Sequence, residues 1–190
     1  MDHRASIRRV SRFLALPVVL AVGTWAGCGR SGYRTVVSGG IRCEVPRDWE
    51  HVPGGGPLAF FRSPEAVNGV DAFFAVSDDE VRDRAELLRW MEASRRIYAR
   101  DPKFSMDDLR EIPVAGVTGF LVGNTRTESA ARPHGPRPGA LLPPVKFREA
   151  EVTFSMNGKG YRLAFGAPEE LFDRYHPDFE HFLTSLRVLP

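Results

Sequence analysis

EAEVTFSMNGKGYRLAF, residues 149–165, is two alternating runs joined by Asn157-Gly158. Asn-Gly supplies the two positive-φ positions of a tight hairpin turn. Counting back from a two-residue turn places Phe154 opposite Tyr161 and Val152 opposite Leu163. Both pairs fall on one face, so turn chemistry and hydrophobic pattern demand the same register. An antiparallel hairpin with one strongly apolar face requires a sheet around it and a layer to cover it.

Outward from this hairpin the chain supplies both. Tyr33–Ser38 and Ile41–Val45 read as strands around Ser38-Gly39-Gly40, a glycine turn. Pro46 ends the second, and Trp49 is expected as a core plug rather than a ligand platform. Gly54-Gly55-Gly56-Pro57 precedes Leu58-Ala59-Phe60-Phe61, a strand pattern, so it lacks the helix and lysine that a phosphate-cradling loop needs. In Asp71–Val76, Ala72, Phe74 and Val76 share one face and Phe73 and Ala75 the other, which predicts a sheet covered on both sides. Asp83 and Glu86 stand at capping-box spacing, predicting a helix from about Arg84 to Tyr98. Leu87, Leu88, Met91, Ser94 and Tyr98 form its stripe, with Trp90 and Ile97 together on the flank. That flank is the candidate partner-binding seam; a wide core face is the alternative.

Leu109–Val114 and Val117–Asn124 read as strands joined at Ala115-Gly116. Residues 128–145 hold Pro133, Pro136, Pro138, Pro143 and Pro144, and are expected as a mobile loop within the domain. Pro168 opens a helical piece over Glu169–Tyr175 and Pro177 opens a second, carrying Phe179, Phe182, Leu183 and Leu186. Leu186–Leu189 is tied down by the same apolar residues.

The candidates for chemistry are sparse. His176 and His181 are five apart, not the four that puts two imidazoles on one helix face for zinc. His176 is expected as a helix-end cap and His181 at the surface; His51 and His134 are isolated. Asp78-Asp79-Glu80 reads as solvated carboxylates, and no Gly-x-Ser-x-Gly is present. No catalytic set, metal site or cofactor is expected, and the chain is read as a non-enzyme.

The N-terminal stretch bears on location. Arg4, Arg8, Arg9 and Arg12 precede FLALPVVLAVGTWAGC, residues 13–28. A basic start and a short apolar run are the layout of an export signal. From Phe13 to Gly27 is 15 residues, interrupted by Pro17 and Gly23, against about 20 needed for a spanning helix. Trp25-Ala26-Gly27-Cys28 resembles the lipobox of bacterial lipoproteins, which implies cleavage before Cys28 and lipid on its sulfur. Ordinary cleavage after Ala26, giving a secreted soluble domain, is the competing reading. The Arg8-Arg9 pair lacks the closely following aromatic-leucine pair of a twin-arginine signal. Residues 1–27 are thus expected as a signal peptide, 28–32 as a tether and 33–190 as one domain.

Removing 27 residues from 190 leaves 163, enough for a real core. Lys plus Arg falls from 26 to 22 and Asp plus Glu from 24 to 23, so the remainder is near −1. The basic character resides in the leader, and nothing points to nucleic acid. Cys43 alternates with Ile41 and Val45 and is expected as a small core hydrophobe. A Cys28–Cys43 disulfide is the alternative if Cys28 carries no lipid.

The order of features is similar to that of the PsbP/Mog1-like fold. Pro46-Arg47-Asp48-Trp49 resembles its P-x-x-W opening, and aromatic strands, a central helix, the Val114-Ala115-Gly116 turn, the late hairpin and Phe182-Leu183-Thr184-Ser185-Leu186 follow. The resemblance covers Tyr33 to Val188. It implies an α+β domain, an antiparallel sheet of about six strands with helices on both faces. Many bacterial members are small lipoproteins, which fits Cys28. The resulting expectation is a lipid-anchored binding module facing the periplasm, with an envelope protein as partner. The alternative is a small-ligand or lipid-binding protein with its pocket between sheet and helix.

Overall fold

In the computed structural model, residues 32–53, 58–79, 83–129 and 141–190 are described. Cys28, the leader, His134 and the centre of the proline-rich segment lie outside them.

The hairpin comes first in the architecture too. Strands β9 (Val145–Met156) and β10 (Lys159–Pro168) pair antiparallel, with Phe154 opposite Tyr161 and Val152 opposite Leu163 as the turn demands. Asn157 and Gly158 have φ of 54° and 75°, the left-handed values that this turn requires.

Around the pair are β3 (Glu50–His51), β4 (Ala59–Val67), β5 (Val70–Asp79), β6 (Ser105–Met106), β7 (Arg110–Val114) and β8 (Val117–Glu128). They form an eight-stranded sheet in the order β3-β4-β5-β10-β9-β8-β6, with β7 also on β8. Separately, β1 (Tyr33–Ser38), β2 (Ile41–Pro46) and β11 (Arg187–Val188) make a three-stranded sheet. Every pairing is antiparallel, and the class is α+β with a helix on each face of the main sheet. The sheet exceeds the expected six strands because β8 and β9 run to 12 residues each and the short β3, β6 and β7 pair along the edges.

Helix α1 (Arg84–Tyr98) begins where its cap predicts, with Asp83 Oδ1 accepting from the Glu86 N–H at 2.8 Å. Helix α2 (Glu169–Ser185) departs from expectation: it is one helix with Pro177 inside it, not two pieces. An internal proline removes a backbone hydrogen bond and crowds the preceding turn, at about 3 kcal/mol. The burial of Leu171, Phe172, Tyr175, Phe179 and Phe182, on both sides of that proline, offsets this cost. His176 accordingly sits mid-helix, not at a helix end.

The two faces of the main sheet are covered differently. One meets α2 and the small sheet, where Trp49 is stacked on Phe74 at 4.1 Å between ring centroids and meets Tyr175 edge-on at 5.2 Å. Trp49 is a core residue, as expected. Phe74 also contacts Phe165, Phe179 and Phe182. Cys43 is buried there beside Ile41 and Val45, as a free thiol whose pKa burial pushes up to about 11. Among the described residues the other face meets α1, which buries just Leu87 and Met91, with Met106 and Leu109 packed beside them. The expectation of a sheet covered on both sides therefore holds only in part.

Candidate functional site

The cleft arises from a shortage of side-chain volume. Leu87 and Met91 of α1 rest on Phe120 and Val122 of β8, and the Thr153 hydroxyl donates to the Met91 sulfur at 3.1 Å. Towards β10 and β5 the same sheet face presents small side chains. Ala75 lies directly opposite Ala164, and Ser77 opposite Arg162. Trp90, Ser94 and Tyr98 recur every fourth residue and form one edge of α1 above this floor. Between helix and floor is a cleft of about 370 Å³, within the size range of small-molecule sites.

One end is built from aromatics and a buried charge. Phe60, Phe73 and Phe147 stack in sequence at 5.5 and 5.9 Å. Phe73 and Phe147 close over Gly166, where an added Cβ would meet both rings at 2.6 Å. That glycine is required because the rings occupy its side-chain space. The Arg126 guanidinium lies over Phe147 at 4.7 Å, a cation–π distance. It pairs with Glu149, donates to the Glu128 carboxylate at 2.7 Å and to the Asn124 carbonyl oxygen at 3.1 Å. The Arg126 and Glu149 side chains are only 19% and 13% exposed, so this pair is shielded from solvent. Burial works against the Arg126 cation, and Glu149 and Glu128 outweigh it, raising its pKa above the ordinary arginine value. Tyr98, stacked on Phe104 at 5.0 Å, closes the end of the helix.

The opposite end differs. Arg162 is exposed on the cleft floor, and among the described residues it has no hydrogen bond or ion pair. Arg95, also lining the cleft, is held by Asp108 at 3.1 Å. Among the described residues no histidine lines the cleft, so none stands beside Ser77 or Ser94 there. The arrangement offers an apolar floor, an aromatic wall and a guanidinium: the means to bind and orient.

Of the expected seam, Trp90 is half-buried in the cleft wall, whereas Ile97 is 66% exposed and does not line the cleft. Helical periodicity put them on one flank but could not show that the sheet passes under only one of them. The proposed lipid-carrying Cys28 lies outside the described residues. His181 is not a simple surface residue. It stacks on Tyr33 at 3.8 Å and its Nε2 lies 2.7 Å from Glu44 Oε2, tying α2 to β1 and β2. His176 packs near Phe165 and Phe172, with Nδ1 3.7 Å from Glu180. His51 leans on Phe61. Among the described residues no three His, Cys, Asp or Glu side chains gather as metal ligands. Asp78 is exposed, as a solvated carboxylate would be.

Sequence reasoning missed Arg126, Arg162, Ala75 and Ala164. The usable signal was the small residues on one side of two aromatic-rich strands.

No family model matches the chain, and no curated protein matches it by sequence. Solved structures do match by shape. One is LpqN, involved in cell envelope biogenesis of Mycobacterium tuberculosis, with a TM-score of 0.57 at 12% identity, over 84% of this chain and 91% of that one. Another is the cyanobacterial PsbP (CyanoP) from Synechocystis sp. PCC 6803, with a TM-score of 0.53 at 14% identity, over 88% and 98%. The covered shares span nearly the whole of both neighbours, and the chain has a PsbP-like fold.

Proposed function

We propose that this chain is a non-enzymatic binding module of the bacterial cell envelope, held at a membrane by lipid on Cys28 and facing the periplasm. Its ligand enters the cleft between α1 and the main sheet. The observation that carries the binding role is the unequal covering of the sheet: one face is sealed, and the other keeps a cleft of about 370 Å³ with an aromatic wall. The location is supported by the basic, apolar leader ending at Cys28 and by the envelope role stated for LpqN. Among the described residues no helix is long and apolar enough to cross a membrane.

Two measurements test this. Intact-mass analysis of the chain extracted from membranes should show a lipid increment on residues 28–190, and Cys28→Ala should remove it and release the chain to the soluble fraction. Native mass spectrometry should show a retained small molecule in the unaltered chain and none in Ala164→Phe, which fills the cleft floor. An unaltered membrane fraction for Cys28→Ala would overturn the anchor, and an equally loaded Ala164→Phe would overturn the cleft.

The exposure of Ile97 favours a second reading, an envelope protein resting on the outer side of α1. Ile97→Asp separates the two, since it leaves the cleft intact and removes an apolar contact from the outer face.

A further inference from the structure

The cleft has a direction, set by its charges. Three arginines, Arg95, Arg126 and Arg162, and two glutamates, Glu149 and Glu151, line it. Arg126 is satisfied by Glu149 and Glu128 in a shielded cluster, and Arg95 is turned towards Asp108 at the surface. A cation whose partners are already in place offers little to a ligand, because the ligand would have to displace them. Arg162 differs: among the described residues nothing pairs with it, and it opens onto the cleft opposite Ser77. Glu151 is directly opposite Ala164, one pleat step away on the β9 side, so an anion at Arg162 is favoured on the Ser77 side. There the guanidinium and a hydroxyl can both donate to it.

Beside that cation the lining becomes apolar. Ala75 and Ala164 form a floor without polar side-chain atoms, Trp90 and Met91 stand over it from α1, and Phe73 lies further along β5. Such a slot places no demand for hydrogen bonds on what fills it.

We propose that the cleft takes a small amphiphile with a single anionic head: the head rests on Arg162 and Ser77, and the apolar body lies between Trp90 and the Ala75–Ala164 floor. This rests on the cleft being the binding place. The unpaired Arg162 disfavours a cationic head, and the alanine floor disfavours a wholly polar ligand.

The test uses the full chain and three probes sharing one apolar body: dodecanoate, dodecanol and dodecyltrimethylammonium. Binding is followed by fluorescence, with a Trp90→Phe variant identifying Trp90 as the reporter and calorimetry supplying affinities for both. Dodecanoate should bind most tightly and dodecyltrimethylammonium least. Arg162→Gln should weaken dodecanoate at least tenfold, the scale of a charge-assisted hydrogen bond, and leave dodecanol within about twofold of its original affinity. Ala164→Phe and Ala75→Leu should weaken all three probes. Equal affinity for the anionic and cationic probes, or an Arg162→Gln variant that holds dodecanoate as well as the unaltered chain, would overturn the head-group assignment while leaving the cleft in place. Failure of every probe to bind, or binding unaffected by both floor substitutions, would overturn the cleft reading beneath it. Unchanged far-ultraviolet dichroism of the variants separates these outcomes from misfolding.

Discussion

The two faces of the main sheet begin from similar strands and end as different surfaces. Along β10, Tyr161, Leu163, Phe165 and Ala167 point to α2 and are buried in the main core. Of the residues between them, Arg162 and Ala164 face α1 and line the cleft. The helices differ in the same sense: α2 buries six residues and α1 two. Where side chains are large and a helix is apolar on its sheet-facing side, the layers close to crystal-like density. Where strands place small residues against a helix edge, they cannot, and the unfilled volume becomes a site. The floor of the cleft is thus a consequence of which residues stand between the core residues.

The largest test compares adjacent residues of one strand. Phe165→Ala should destabilise the chain by about 3–5 kcal/mol, because the ring is fully buried among Phe74, Phe172 and Phe179 and its removal leaves a cavity. Ala164→Phe, one position earlier, should cost less than about 1.5 kcal/mol, because the new ring enters space that is already empty. Urea denaturation of both variants checks the contrast. Equal losses would mean that the α1 face is packed as tightly as the α2 face.

Much of this architecture was legible from local chemistry. The Asp83–Glu86 cap gave the start of α1, and Asn157-Gly158 gave the register of β9 and β10, because both signals act over a few residues. Three features were not legible, for distinct physical reasons. Pro177 reads as a helix boundary, yet the apolar residues around it keep one helix, so burial overrides a local stop. Residues 125–128, Thr125-Arg126-Thr127-Glu128, look too polar for a strand. They extend β8 because Arg126 and Glu128 satisfy each other and Arg126 reaches Glu149 on the neighbouring strand. The cleft needs Ala75 and Ala164 side by side, and that juxtaposition exists only once β5 has paired with β10. Arg126 was missed for the same reason, since its partner Glu149 and the Phe147 ring belong to another strand.

Arg126 supplies the next test, because it is the polar counterpart of the sealed face: a satisfied, shielded charge at the cleft's aromatic end. Arg126→Met keeps much of the side-chain bulk and leaves Glu149 buried without its cation. The expected loss is about 1–3 kcal/mol, read from denaturant midpoints. A second substitution, Glu149→Gln, on that background should recover part of it, because it removes the stranded charge. No recovery would mean that Arg126 contributes through its stacking on Phe147 rather than through its charge.

The helices sharpen the comparison in time as well as in packing. With only Leu87 and Met91 buried, α1 should open more readily than α2, and its amides should exchange with solvent faster. Asp83→Ala removes the side-chain acceptor for the Glu86 N–H and should cost about 1 kcal/mol. Hydrogen exchange should then accelerate throughout α1 and stay unchanged in α2. Acceleration in both helices would show that α1 is fastened to the rest more firmly than its buried side chains imply.

The smallest effect concerns Asp71, near the far end of β5, where Arg62 stands 3.7 Å away. Burial raises the Asp71 carboxyl above its ordinary value; Arg62 opposes this and Glu50 adds to it. A carboxyl whose pKa is higher in the folded chain than in the unfolded one favours folding in its protonated form. Its contribution is fully present below the unfolded value and is lost as pH rises through the folded one. At pH 7 the folded chain therefore bears a small cost for this carboxylate. Asp71→Asn should raise stability at pH 7 by less than about 1 kcal/mol, since the group is partly exposed and the Arg62 contact is also given up. The gain should shrink at pH 3, where the aspartate is largely neutral as well. Urea midpoints of both chains at the two pH values decide it. A stability loss at pH 7 would show that the Arg62–Asp71 attraction outweighs burial at this end of β5, and that β5 is held there by charge rather than by packing.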